Sequence, residues 1–145
     1  MKVYLDTNVL VAASVEAHPH HLQAFDLVKA VRDRACEGCV STHGLAEFYS
    51  VLTRAPFVPR IHPVEAGRLL DLNILPYFEL IALSVVDYKA ILRSCADAGL
   101  VGGVIFDVLH LHSAQKARCE RIYTFNVKDF RALAPAELAD KIAAS

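Results

Sequence analysis

Residues 2–15, "KVYLDTNVLVAASV", form an almost unbroken apolar run with one acid, Asp6, at the point where a first strand should stop. "KVYLD" (2–6) reads as that strand. A carboxylate in such surroundings is costly unless it is paired or used. The reading of the whole chain turns on what meets Asp6.

Outward from this run, apolar segments alternate between strand and helix patterns. "HHLQAFDLVKAVRDR" (20–34) reads as an amphipathic helix with Leu22, Phe25, Val28 and Val31 on its apolar stripe. "GCVST" (38–42) is a short strand, and a helix is expected from about His43 to Arg54. Pro56, Pro59 and Pro63 mark a loop, and "VEAGRLLDLNIL" (64–75) is mostly helical. "FELIALS" (78–84) is a strand, Ser84 with Asp87 resembles a capping box, and Gly99 ends the helix it opens. "GVIFDVLHLHSAQKAR" (103–118) is a helix, "RIYTF" (121–125) a buried strand and "VKDFRALA" (127–134) a short helix. Strands alternating with helices imply parallel pairing with helices on both faces. The expected fold is a three-layer α/β/α domain with a central parallel sheet, covering 1–145 as one domain.

The bulk properties agree. A chain of 145 residues with 54% hydrophobic content suits one domain with a sizeable core. No apolar run is long enough to span a bilayer and the N-terminus lacks signal-peptide regions, so a cytoplasmic protein without membrane partners is expected. Four cysteines at irregular spacing exclude a secreted disulfide framework. A net charge of −1 confines any nucleic-acid-binding surface to a local patch.

In parallel sheets ligands bind beyond the carboxyl ends of the strands. Asp6 ends the first strand there, and Asn126 arrives at the same edge after "RIYTF", with Asp129 one turn later. Asp107 heads a helical stripe continued by Leu111 and Ala114, so it enters a buried face. Glu47 borders the stripe of Leu45, Phe48, Tyr49 and Leu52. Several carboxylates share a site only if a cation neutralises them. Oxygen donors without clustered Cys or His favour Mg²⁺, or Mn²⁺, over zinc. The structural alternatives are that Asp6 caps the turn after its strand, Asn126 and Asp129 form a capping box, and Asp107 favours a helix dipole.

"VYLDTNVLV", "LAEFYSVLTR", "GGVIFDVLHLHSAQ" and "IYTFNVKDF" resemble, in order and content, the signature segments of PIN-domain proteins, and most nearly those of VapC-type ribonuclease toxins. The resemblance runs from Lys2 to about Leu133. It implies an α/β/α domain with a Mg²⁺- or Mn²⁺-dependent acidic cluster and endonucleolytic hydrolysis of RNA by an activated water. It also implies a homodimer and a cognate VapB-like antitoxin. Carried over by residue, the metal-holding acids are Asp6, Glu47 and Asp107. The fourth acidic slot holds Asn126, with Asp129 as the residue that supplies the missing charge. Thr124 supports the site by hydrogen bonding. The alternative function is a PIN-like domain that only binds RNA or a partner, in keeping with Asn126 in that slot.

Other features receive lesser readings. Cys36 and Cys39 have zinc-knuckle spacing without a second pair. His18, His20 and His21 are read as a solvated helix start, and His110 as a packed histidine near the site. Arg54, Arg60, Lys128 and Arg131 are candidates to hold RNA phosphates around an acidic centre. The apolar surplus of Leu69, Leu70, Leu72, Ile74, Leu75 and Phe78 points to partner surfaces.

Overall fold

A computed structural model describes residues 1–144. Five strands form one parallel sheet: β1 (Lys2–Leu5), β2 (Glu37–Ser41), β3 (Phe78–Ile81), β4 (Arg121–Tyr123) and β5 (Ile142–Ala143), in the order β3-β2-β1-β4-β5. Among the described residues the α-helices are α1 (Thr7–Ser14), α2 (His21–Arg32), α3 (Thr42–Arg54), α4 (Pro63–Leu69), α5 (Val85–Asp97), α6 (Val104–Lys116), α7 (Val127–Leu133) and α8 (Ala136–Ala139).

The alternation of the strands separates two cores. Val3, Leu5 and Val40 face one side and pack with Val9, Leu10, Val28, Phe48 and Leu52. Tyr4, Cys39 and Ile122 face the other and pack with Leu111, Ala114 and Phe130. The expected three layers therefore follow from period two in β1 and β2.

Local details depart from the sequence reading in informative ways. The run after Asp6, to which the sequence pattern assigns no element, forms α1, buried along Val9–Ala13. The buried stripe of α2 is Ala24, Val28 and Val31; Leu22 is 77% exposed and Phe25 is also exposed. Small Ala24 lets α2 approach α1 closely, which turns the bulkier Leu22 and Phe25 outward. The expected 64–75 helix is α4 continued by a π-helical turn, Leu70–Ile74. At α5 the capping box is formed: Ser84 Oγ accepts from Asp87 N and Asp87 Oδ2 accepts from Ser84 N. Gly99, at φ 71°, then takes the left-handed position after α5.

One glycine is required by close approach. A Cβ on Gly38 in β2 would lie 2.6 Å from Val31 and 2.7 Å from Phe78. Gly38→Ala is expected to cost about 1–3 kcal/mol by overpacking, read as a lower urea midpoint at unchanged slope. A neutral result would show that α2 shifts freely against the sheet.

Candidate active site

From β1 the chain adds β2 and β3 on one side, then returns to add β4 and β5 on the other. Strand order thus reverses between β1 and β4, where open parallel sheets form a crevice at their carboxyl edge. Asp6 leaves β1 and Thr124 leaves β4 at this point. Asp6 is 5% exposed. Its Oδ1 accepts from Thr7 N at 2.7 Å, capping α1, and its Oδ2 accepts from Thr124 Oγ1 at 2.8 Å. Thr124 Oγ1 also accepts from Asn126 N at 3.0 Å. Capping and site geometry are therefore the same arrangement: the bonds that start α1 aim Asp6 along the crevice.

A cavity of about 370 Å³ opens here, lined by Asp6, Asn8, His18, Glu47, Asp107 and Asn126 among others. Four of the five residues singled out in the sequence thus meet around one space. Asp107 comes from the first turn of α6 and Glu47 from the second turn of α3. Asp129 stands exposed outside this lining, yet its charge is close enough to oppose ionisation of Asp107. The expected Asn126 capping box is not formed, because the Asn126 side chain makes no cap bond to α7.

His110, on α6, is the residue whose importance the sequence reading understated. It is 1% exposed and sits between the acids. Its Nε2 lies 2.8 Å from Glu47 Oε1 and 3.2 Å from Asp6 Oδ1, and its Nδ1 lies 2.6 Å from Tyr4 Oη. His43 was missed altogether. Its Nδ1 is 2.8 Å from Glu47 Oε1 but off the line a hydrogen bond needs, so this buried atom has no hydrogen-bond partner. The signals were present as spacing: His43 and Glu47 are i,i+4 on α3, and Asp107 and His110 are i,i+3 on α6.

The electrostatics follow from burial and these neighbours. Burial pushes the Asp6 carboxyl above its ordinary value against the opposing pull of His110 and Thr124. Burial and then the Asp6 charge push Asp107 up to about 6. Glu47 feels burial too, but His110 and His43 outweigh it and hold its carboxyl well below the usual range. Burial alone would depress His110; the Glu47 hydrogen bond and the Asp6 charge reverse this and raise it. Asp6 and Asp107 thus oppose each other's ionisation across the cavity, which is the arrangement a divalent cation relieves. Carboxylate oxygens from Asp6 and Asp107, with Glu47 and the Asn126 amide alongside, fit a hard ion such as Mg²⁺ or Mn²⁺.

Other sequence readings sort out differently. The Arg131 guanidinium donates to Ile142 O at 2.9 Å, so it braces β5 rather than reaching outward for phosphate. Cys36 packs against one core and Cys39 is buried in the other, so the pair does not share an ion. His18 and His20 stack on Phe125, with ring centroids 6.2 and 4.5 Å away, which brings His18 to the cavity wall.

Residues 3–135 match the family described as PIN domain. The chain belongs to the PIN-domain family. Among curated relatives it is similar to Ribonuclease VapC27 of Mycobacterium tuberculosis, with 34% identity over 116 residues covering 80% of this chain and 79% of that protein. It is also similar to Ribonuclease VapC40 of the same organism, 32% identical over 129 residues, covering 88% and 87%. Two solved structures share the fold. M. tuberculosis VapC20, described as a Sarcin-Ricin loop cleaving toxin, gives a TM-score of 0.69 at 15% identity over 90% of this chain and 93% of that one. VapBC2 from Rickettsia felis, bound to a DNA fragment from its promoter, gives 0.63 at 21% identity over 91% and 92%.

Proposed function

We propose that this chain is a Mg²⁺- or Mn²⁺-dependent endoribonuclease that acts as the toxin of a toxin–antitoxin pair. The observation that carries the reading is the pair Asp6 and Asp107, one buried and one half-buried acid facing one cavity at the strand-order switch point. The VapC ribonuclease relatives support RNA as substrate, and the VapBC neighbour supports an antitoxin partner.

When bound, the cation supplies a polarised phosphoryl oxygen and a more acidic attacking water. Asp6 and Asp107 would hold it, Glu47 and Asn126 would order water, and Asp129 would add charge at the rim. Thr124 and Thr7 N fix the rotamer of Asp6, so the carboxylate needs no rearrangement as the substrate arrives. His110 fixes Glu47 and neutralises part of the acidic field, which lowers repulsion of a phosphodiester. Attack by water leaves 5′-phosphate and 3′-hydroxyl ends and does not use the RNA 2′-OH chemically.

The test is end-group analysis of RNA incubated with the purified protein and Mg²⁺ or Mn²⁺, with EDTA as control. The expected products carry 5′-phosphate and are absent with EDTA. Products with 2′,3′-cyclic phosphate, or cleavage that survives EDTA, would overturn the mechanism. RNA retention without cleavage would favour the binding-only reading, which Asn126 in the fourth slot supports.

The Asn126 slot gives a graded prediction. Asn126→Asp is expected to tighten Mn²⁺ binding by about tenfold through an added charge near the ion, and Asp129→Asn to weaken it by less. Calorimetric titration reads both. An Asp129→Asn variant with unchanged affinity and cleavage would leave Asp129 outside the site.

Partner surfaces fit the same reading. Leu22, Phe25, Leu72 (65% exposed) and Leu75 leave apolar surface uncovered on the α1–α4 side, whereas Ile74 and Phe78 are core. An amphipathic antitoxin helix with a basic extension toward Asp6 and Asp107 suits this face, alongside a homodimer contact. Size-exclusion chromatography after co-expression with the adjacent small reading frame tests it. A monomer that ignores that product and leaves growth unaffected would remove the toxin assignment.

A further inference from the structure

We propose that His43 Nδ1, Glu47 Oε1 and His110 Nε2 form a binding site for a borderline divalent ion of the Zn²⁺ or Co²⁺ class, beside the hard-ion position at Asp6 and Asp107. The three atoms lie within 4.8 Å of one another. Two imidazoles and one carboxylate with a fourth position open is a composition that suits zinc. His43 and Glu47 come from successive turns of α3 and His110 from α6, so the ligands converge from two rigid helices.

Three observations make the site more than an ion-pair cluster. First, His43 Nδ1 is buried and has no hydrogen-bond partner, although it lies 2.8 Å from Glu47 Oε1. Such an atom is normally satisfied, and a metal ion would satisfy it. Second, the rings are held. His43 stacks on Phe106 with centroids 5.2 Å apart and planes 11° from parallel, and Tyr4 Oη meets His110 Nδ1 at 2.6 Å. An orienting partner on the far ring nitrogen is the usual support for a metal-binding histidine. Third, glycine at position 44 leaves the His110 ring unpressed: a Cβ there would lie 3.2 Å from His110 Cε1, tighter than ordinary contact.

The proton balance is simple. Without the ion, the His110 imidazolium donates Nε2–H to Glu47 and Nδ1–H to Tyr4 Oη. With it, the Nε2 proton leaves to solvent and the neutral ring keeps Nδ1–H on Tyr4 Oη. The Tyr4 hydroxyl accepts in both forms, so it holds the ring throughout. The two 2.8 Å edges at Glu47 must open to about 3.4 Å for tetrahedral geometry with bonds near 2.1 Å. Half-exposed Glu47 provides this by a small side-chain rotation. Because Glu47 would also serve the hard-ion position, filling the imidazole site withdraws it from there. On the nuclease reading, Zn²⁺ would therefore antagonise Mg²⁺.

The chelator-treated full chain is titrated with Co²⁺, following its visible absorption, and with Zn²⁺ by calorimetry. One Co²⁺ per chain with the intense bands of a tetrahedral nitrogen–oxygen site is expected. His43→Gln, which leaves the buried His110 contacts in place, should weaken Co²⁺ and Zn²⁺ by at least about tenfold and leave Mg²⁺ affinity within about twofold. His20→Ala should leave Co²⁺ unchanged. Octahedral, weakly absorbing Co²⁺, equal affinity in His43→Gln, or loss of binding in His20→Ala would overturn the site. Binding rather than cleavage is read, so failure of the nuclease reading would not mimic failure here.

Discussion

Asp107→Asn is expected to reduce RNA cleavage by at least about 10²-fold and, in the metal-free protein, to raise the melting temperature. The two effects have one origin. Burial and the Asp6 charge lift the Asp107 carboxyl from its ordinary 3.8 to about 6. A carboxyl raised on folding binds its proton more tightly in the native state. Its contribution to stability is therefore fully present below about pH 3.8 and lost as pH rises through about 6. At neutral pH the ionised side chain works against the fold. A two-unit shift corresponds to about 3 kcal/mol at full burial; Asp107 is half exposed, and screening reduces this to about 1 kcal/mol. Asparagine removes that cost, worth about 2–4 °C in a chain of this size. Thermal scans in EDTA at pH 7.5 and pH 5 check it, since the gain should shrink at the lower pH. Parent-like cleavage by the variant, or a lowered melting temperature, would show that Asp107 is a helix-terminal acid and not part of a metal centre.

His110→Ala should be the most damaging single change to stability, at about 3–5 kcal/mol. It removes at once the partner of buried Tyr4 Oη, the closest cation to Asp6 and the hydrogen bond to Glu47. It also leaves a void beside Phe130, whose ring centroid lies 6.4 Å away. Glu47→Gln should cost only about 1 kcal/mol, because the amide oxygen still accepts from His110 and the side chain is partly exposed. Urea denaturation in EDTA gives both values. Adding Mn²⁺ should restore part of the His110→Ala loss, since the ion replaces the missing positive charge. A loss below about 1 kcal/mol would mean that the acids are screened by solvent rather than by His110.

The sequence disclosed the sheet edge and most of the acids because these rest on periodicity. Asp6 interrupts an apolar run, and Asp107 heads a stripe of residues suited to burial. What it hid has physical reasons. Helix α1 is apolar on nearly every face, so it carries no helical period and merges with β1. Strand β5 has two residues and α8 has four, too short for any pattern to register. Leu22 and Phe25 obey helical spacing but lose the buried face to Ala24, since closeness of packing, not hydrophobicity alone, decides which face turns inward. The roles of His43 and His110 depend on a contact between residues 63 apart, Glu47 to His110. Local spacing marks the residues and does not reveal that contact.

The brace made by Arg131 on β5 has a mechanical corollary. Thr124, whose hydroxyl steers Asp6, donates its backbone N–H to Ala143 O at 3.0 Å, and Ile122 N bonds Lys141 O at 2.9 Å. Tension applied at residues 141–143 is therefore passed through Thr124 to the Asp6 carboxylate within two hydrogen bonds. A purification handle fused close behind Ala143, or a chain cut back before Ile142, would pull on or release the most buried acid of the site through the edge strand of the sheet. A handle before Lys2 would hang from the opposite end of β1, away from the carboxyl edge where the acids gather.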